Sequence, residues 1–479
     1  MGATLSTGAF ADVAAKPSTH KVTVNGEATE IQGYNIDGAN YFKVRDLAEA
    51  IDMGLTWDAG TSTVGLETDK SYKVSDTQLL TGNWAPATRA RIQSVIDEWA
   101  NKGRYVVFDF DNTSVIFDVQ EALLMYQISN LRFKFTPEQV KGILETGIES
   151  DQIDAVMGKT VDGADVKASA LIADLTADYT WLYNNYEGLA GDKDLTYIHA
   201  SNQYQDFEAK IRFMYDNMGD TFGHAVSYPW VTYLFTGMTP AEVQEMATES
   251  HKYWSTYGRY ASEVVTSPLE MPGEAGVVST SYITGVTFTD ELRDLYQTLM
   301  ANGIDVYIVS ASPIDTILAA NKSMGYGVPE DQVFAMQNKL GEDGTYINEY
   351  NYDWGGEGKY AQTQGEGKST IITNFIAPKY DGAGPLMVFG DSAGDMNMMT
   401  DWMEAGDTEL GVIFNRYRKP SSDPLTWEAS VEASEHIGEA DARFVLQGRD
   451  ENNGCLRPSE YSIMLGDTEE VLVRPAPTE

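Results

Sequence analysis

The chain has 479 residues, 42% of them apolar and 11% aromatic, which excludes wholesale disorder and leaves room for two to four domains at roughly 100–200 residues each. Lys and Arg number 33 and Asp and Glu 72, a formal net charge of −39, so nucleic acid and anionic lipid are excluded as partners while cations and divalent metals are favoured. No apolar run reaches the roughly 18 residues of a membrane span, the lone Cys455 rules out an intramolecular disulfide, and the five histidines contain no H-E-x-x-H metal pattern.

The first residues, Met1–Ala11, are small and apolar and end in Ala9-Phe10-Ala11. That is the small-x-small pattern of a signal-peptidase site, so residues 1–19 are expected to be a leader remnant of an exported protein. Residues 20–70 form a small α+β module. A short alternating strand meets a turn at Asn25-Gly26, a second turn follows at Asp37-Gly38, then a strand-to-helix passage, then a hairpin centred on Ala59-Gly60. Val24-Asn25-Gly26, Tyr34-Asn35-Ile36, Tyr41 to Leu47 and Thr56-Trp57-Asp58 make this stretch resemble the copper-amine-oxidase N-terminal-like domain. The resemblance implies a module appended to an exported Gram-positive protein, secreted or held at the cell wall or surface. Residues 71–103 connect it to the rest, with a helix expected over Ala87–Ala100.

Arg104–Phe108 is a short apolar run, a buried parallel strand by composition, and it ends in Asp109-Phe110-Asp111-Asn112-Thr113. Reactive groups of open α/β sheets sit at the carboxyl ends of strands. Two carboxylates two residues apart there suit a nucleophile and a general acid/base, although an Asx turn leaving the strand would explain the same pair. Gly303–Val309 is a second strand, ending in Ser310-Ala311-Ser312-Pro313. Its hydroxyl suits a phosphoryl oxygen, or a helix N-cap before Ile314–Ser323. Gly367-Lys368-Ser369 opens a helix through Ile371, Ile372 and Phe375; the lysine offsets negative charge or is solvated. Leu386–Phe389 is a third strand, ending in Gly390-Asp391-Ser392-Ala393-Gly394-Asp395, whose acids suit a hard cation or another turn.

The four segments in this order resemble the haloacid dehalogenase superfamily of phosphatases. The resemblance covers about residues 104–450 and implies a doubly wound parallel sheet formed by 104–118 and 284–450. It implies that Asp109 is the nucleophile, taking the phosphoryl group of a small phosphomonoester as an aspartyl phosphate. Asp111 would be the acid, then the base. Ser310 and Lys368 would bind phosphoryl oxygens, with Thr113 and Ala311 beside them in substrate binding. Mg²⁺ would lie between Asp109, Asp391 and the backbone carbonyl of Asp111, with Asp395 supporting it. Asp111 argues against dehalogenase chemistry, whose branch lacks this second aspartate.

Gly390-Asp391-Ser392-Ala393-Gly394 also satisfies G-x-S-x-G after a strand, with Asp423 and His436 downstream in serine-hydrolase order. That alternative leaves Asp109, Asp111, Ser310 and Lys368 unused. A non-catalytic surface-binding protein on the same fold would be expected to have lost one of Asp109, Asp111, Lys368 or Asp391, and all four are present.

Residues 119–283 read as a large helical insertion, with helices at 121–133, 137–146, 168–184, 204–217 and 240–255. In this superfamily such an insertion is a cap over the site. Its many aromatics are mostly expected to pack as core. Phe117–Leu124, Tyr228–Gly237 and Val306–Ser312 resemble the secreted bacterial phosphorylcholine phosphatases. That resemblance implies acidic and aromatic contacts to a trimethylammonium head, for which Glu121, Tyr228 and Trp230 are the candidates; Gln120 departs from the paired acids of those relatives. Further core strands are expected at Gly411–Asn415 and Arg443–Gln447. From Gly448 the chain reads as a polar surface tail, with 451–479 set apart as a C-terminal tail.

Overall fold

The computed structural model describes residues 16–476 apart from positions 25, 30, 32, 37, 59–62 and 69. The expected leader Met1–Ala11 and the turn residues Asn25, Asp37, Ala59 and Gly60 lie outside them. The chain divides into two compact units, Met1–Gly82 and Asn83–Glu479. In the first unit, Val22–Val24 pairs antiparallel with Glu27–Thr29, Gly33–Ile36 with Ala39–Phe42, and Gly54–Asp58 with Thr63–Glu67. The helix Val44–Ala50 follows the second hairpin.

The second unit is built on six strands: β1 (Tyr105–Phe108), β2 (Asp305–Pro313), β3 (Val333–Met336), β4 (Met387–Gly390), β5 (Leu410–Phe414) and β6 (Phe444–Gln447). Every pairing is parallel. The spatial order is β3-β2-β1-β4-β5-β6, a doubly wound α/β sheet. Strands covered on both faces must be apolar throughout, and all residues of β1, β4 and β5 are buried. Phe108 stacks on Phe389 across β1 and β4 with ring centroids 4.0 Å apart, and Tyr296 lies 4.1 Å from Phe108. The order reverses between β1 and β4. A crevice opens at such a reversal, beyond the carboxyl ends of the strands.

Five helices of the insertion lie within a few residues of the expected ranges: Val119–Ser129, Pro137–Leu144, Ala168–Asn185, Asn202–Phe222 and Pro240–Thr256. Local caps set their starts. Asp118 accepts from Gln120 N and Glu121 N at 2.9 Å, and Thr239 and Glu242 form a reciprocal capping box. Two hairpins were not expected, Val156–Lys159 with Asp165–Lys167 and Ala261–Thr266 with Ser279–Thr284.

The expected surface tail after Gly448 is corrected by the structure. Arg449–Asp450, Cys455–Leu456, Ser462–Ile463 and Glu470–Val471 form a four-stranded sheet, and Arg449, Leu456 and Ser462 are buried. Strands of two residues carry no periodicity to read.

The insertion also holds a buried charged cluster. Lys210 Nζ donates to Asp174 and Asp206, each at 2.7 Å. Asp178 faces the same space, fully buried. Burial, and then the charge of Asp206, push the Asp178 carboxyl up to about 9. A folded-state value raised above the unfolded one stabilises below the unfolded value, near pH 4, and that contribution is lost as the pH rises towards 9. Asp178→Asn mimics the protonated form. Urea unfolding of this variant should therefore show a flatter loss of stability between about pH 4 and pH 9 than the parent; an unchanged slope would remove Asp178 as its source.

Candidate active site

Three segments distant in sequence meet at the reversal between β1 and β4. Asp109 follows β1 directly, and its N–H donates to Phe389 O at 3.0 Å, locking the end of β1 to β4. Asp391 follows β4. Asp395 lies in the first turn of the helix Ala393–Thr400, where its Oδ2 accepts from Asp391 N at 2.9 Å and Ser392 N at 3.2 Å. This approach requires glycine at the end of β4: a Cβ on Gly390 would lie 2.6 Å from that of Asp395. Lys368, from the helix Glu366–Ile371, places Nζ 2.5 Å from Asp109 Oδ1 and 2.7 Å from Asp395 Oδ1.

The next loop carries Asp111. Its Oδ1 accepts from Val119 N at 2.6 Å, and its Oδ2 accepts from the Ser312 hydroxyl. Burial, and then the charge of Asp118, hold the Asp111 carboxyl well above the usual carboxylate range. Burial followed by Asp395 pushes Asp109 up to about 8, against the pull of Lys368. Asp391 goes the other way. Burial would raise it, but Arg418 and Arg416 outweigh that and hold it low. Arg416 Nη1 and Arg418 Nη2 reach its Oδ2 at 2.8 and 2.5 Å.

One cavity of about 290 Å³ gathers Asp109, Asp111, Tyr228, Ala311, Lys368, Asp391 and Asp395. Of the expected residues, four do not line it. Thr113 and Ser310 are buried beside it, and the Ser310 hydroxyl accepts from Ser312 N at 3.1 Å. Glu121 lines an adjoining cavity together with Asp118, Phe117 and Arg416, and pairs with Arg212 at 3.4 Å. Trp230 is corrected outright: it is 1% exposed and its indole N–H donates to Leu144 O at 3.0 Å. Its ring is core packing, so Tyr228 and Tyr215 supply the aromatic wall instead. Residues that the sequence reading missed include Ser312, Asp118, Arg416 and Arg418. The arginines directly follow β5, and their position at a parallel strand's carboxyl end was the available signal.

The serine-hydrolase alternative finds no base. Among the described residues no histidine lines this cavity. His436 is exposed and bonds Glu439 at 2.8 Å, while Ser392 caps the helix that carries Asp395. For a metal, Asp109, Asp391 and Asp395 offer carboxylate oxygens that lie within 4.8 Å of one another. An all-oxygen, all-carboxylate donor set fits a hard divalent cation such as Mg²⁺.

Comparison with known proteins gives a fold and then a named relative. A crystal structure of a conserved protein of unknown function from Anaerococcus prevotii superposes with a TM-score of 0.70 at 27% identity, covering 81% of this chain and 98% of its own. The phosphorylcholine phosphatase of Pseudomonas aeruginosa is 28% identical over 262 residues, 53% of this chain and 55% of that protein. The chain thus matches about half the length of this relative. No family model matches the chain.

The Lys368 ion pairs are buried, with Lys368 and Asp395 both 2% exposed at the side chain. Removing one partner of a buried pair typically costs about 3–5 kcal/mol. Lys368→Met should lose about that much in urea unfolding at neutral pH without divalent cations; a loss below about 1 kcal/mol would mean that the carboxylates are not held by this lysine.

Proposed function

We propose that this protein is a phosphoric monoester hydrolase working through an aspartyl phosphate at Asp109. The observation that carries the reading is the convergence of Asp109, Asp111, Lys368, Asp391 and Asp395 on one cavity at the sheet's reversal point. The Pseudomonas relative's name points the same way.

In this reading Asp109 attacks phosphorus, a new carboxylate O–P bond forms, and the ester P–O bond breaks. Asp111, whose burial favours its protonated form, gives its proton to the departing alkoxide. The Asp111 carboxylate then takes a proton from water. The water oxygen attacks phosphorus, phosphate leaves, and Asp109 is restored. A dianionic substrate would be repelled by the ionised acids of the cavity; Lys368, Arg416 and Arg418 offset part of that charge. Mg²⁺, held by Asp109 and Asp391 with Asp395 supporting them, would supply the remaining positive charge for the phosphoryl oxygens. Ala311 and Ser312 line the wall beside Asp111 and would receive the phosphoryl oxygens there.

Asp109→Asn is nearly isosteric, so it should fold and yet lose turnover of an aryl phosphate by more than about a thousandfold, and EDTA should stop the parent enzyme. Near-parental hydrolysis by the variant would remove Asp109 from the mechanism.

The leaving group is proposed to be a small cationic alcohol such as choline. Supporting this are Tyr215, Tyr228 and Asp118 on the cavity wall and the acidic Glu121 in the adjoining cavity. A quaternary ammonium over a tyrosine ring gains about 0.5–2 kcal/mol. Tyr228→Ala should accordingly lower kcat/KM for phosphocholine by about two- to thirtyfold and spare an aryl phosphate. Equal losses on both esters would make Tyr228 structural, and a parent without preference for phosphocholine over phosphoethanolamine would reject the choline assignment.

A further inference from the structure

The loop between Asp109 and the helix Val119–Ser129 is held in an unusual conformation. Asn112 has φ +59° and Phe117 φ +73°. Asparagine tolerates the left-handed region; a bulky phenylalanine rarely does. The two are joined, since Asn112 N–H donates to Phe117 O at 2.9 Å. A strained loop of this kind persists only where its surroundings over-determine it.

The over-determining group is Arg449, which comes from the polar segment after β6. It is 1% exposed. Its guanidinium forks onto Asn112, with Nη1 3.1 Å from the backbone oxygen and Nη2 3.1 Å from Oδ1. The other edge of the fork is fixed by Glu451, which accepts from Nε at 3.0 Å and also from Nη2. Glu451 is itself tied down, because its Oε2 accepts from Leu465 N at 2.9 Å and its N–H donates to Ile463 O at 3.0 Å. Arg449 N–H donates to Ser462 Oγ at 3.0 Å, and Ser462 Oγ donates to Asn415 O at 2.6 Å, at the end of β5. The fork is therefore anchored to the sheet at one end and grips the residue after Asp111 at the other.

We propose that Arg449 is a positioning residue of the active site, acting through Asn112 to hold Asp111 in line for proton transfer. This rests on the phosphatase reading. Arg449 does not line the cavity, whereas Asn112 does, so the arginine acts on the chemistry only through its neighbour. Its charge is matched by Glu451, so its contribution is orientation. A lysine keeps the charge but has no planar fork and cannot hold both oxygens of Asn112.

The consequence is selective. An aryl phosphate with a good leaving group needs little protonation as it departs, whereas a simple alkyl phosphate needs the proton of Asp111. A small misplacement of a reacting group can cost about a hundredfold. The experiment measures kcat and KM for 4-nitrophenyl phosphate and for an alkyl phosphate with the full chain, its Arg449→Lys variant and its Asn112→Gly variant. Glycine accepts the positive φ and removes only the side-chain contact. Arg449→Lys should lose about 10–100-fold in kcat/KM on the alkyl ester and about tenfold less on the aryl ester, because kcat/KM reports the transfer to Asp109 and not the later water attack that both esters share. Asn112→Gly should show the same selectivity with a smaller loss. Equal losses on both esters, or none, overturn the proposal. If Arg449→Lys fails to fold, by circular dichroism and thermal melting, Asn112→Gly decides by the same criterion. A parent protein that hydrolyses neither ester sinks the phosphatase reading itself, whereas a parent active on both with unselective variants sinks only the role of Arg449.

Discussion

Lys368 sits between two carboxylates in a space almost closed to water, 2.5 Å from Asp109 and 2.7 Å from Asp395. Three charged groups in such a place are tolerable only together, because any one left alone would carry the full cost of desolvation. That requirement organises the site. It demands that β1 and β4 be neighbours, so that the two acids arrive at the same end of the sheet. It demands a glycine at position 390, so that the helix bearing Asp395 can begin against β4. It also demands that a short helix from the connection between β3 and β4 turn its lysine inward. The arginines perform the same service for Asp391 from the end of β5.

The parts of this arrangement that were legible in the sequence are those buried on both sides. β1, β2, β4, β5 and β6 announce themselves as continuous apolar runs, and the acids at their ends are conspicuous because the runs stop there. β3, Val333–Met336, is as short and as buried as β1, but no acid or hydroxyl group stands directly at its end to single it out. Arg416 and Arg418 escape notice because nothing in the chain says that Asp391 lies opposite. Tyr228 and Trp230 are two residues apart, on a helix with Pro229 inside that passes into a 3₁₀ turn at Val231–Phe235. Which ring faces the cavity there depends on tertiary packing; of the two candidates that the resemblance implied, Tyr228 lines it and Trp230 is core. Glu121 lies one turn beyond the cap residue Asp118, yet Arg212 draws it towards the neighbouring cavity. The four-stranded C-terminal sheet escaped notice because its strands are too short for any period.

The insertion repeats the buried-lysine device in a different setting. Lys210 joins Asp174 and Asp206 at 2.7 Å each, much as Lys368 joins its two acids. Lys210 lies in the helix Asn202–Phe222, and Asp174 also accepts from the N–H groups of Glu274 and Ala275, so the cluster ties two helices to a loop. A perturbed buried acid is thus no sign of chemistry by itself, since a structural network of ion pairs shifts carboxyls as well.

The grip of Arg449 on Asn112 spans 337 positions of sequence. A chain made from its N-terminus emerges with the Asp109 loop early and this arginine late. Through most of synthesis, then, the sheet can acquire β1, β2, β3, β4 and β5 while the loop behind Asp109 stays untethered. Closing so long a span carries an entropic cost that grows slowly with its length, but the contact is among the most non-local in the fold. The Asn112 loop thus gains this contact only after nearly all of the sheet has been synthesised.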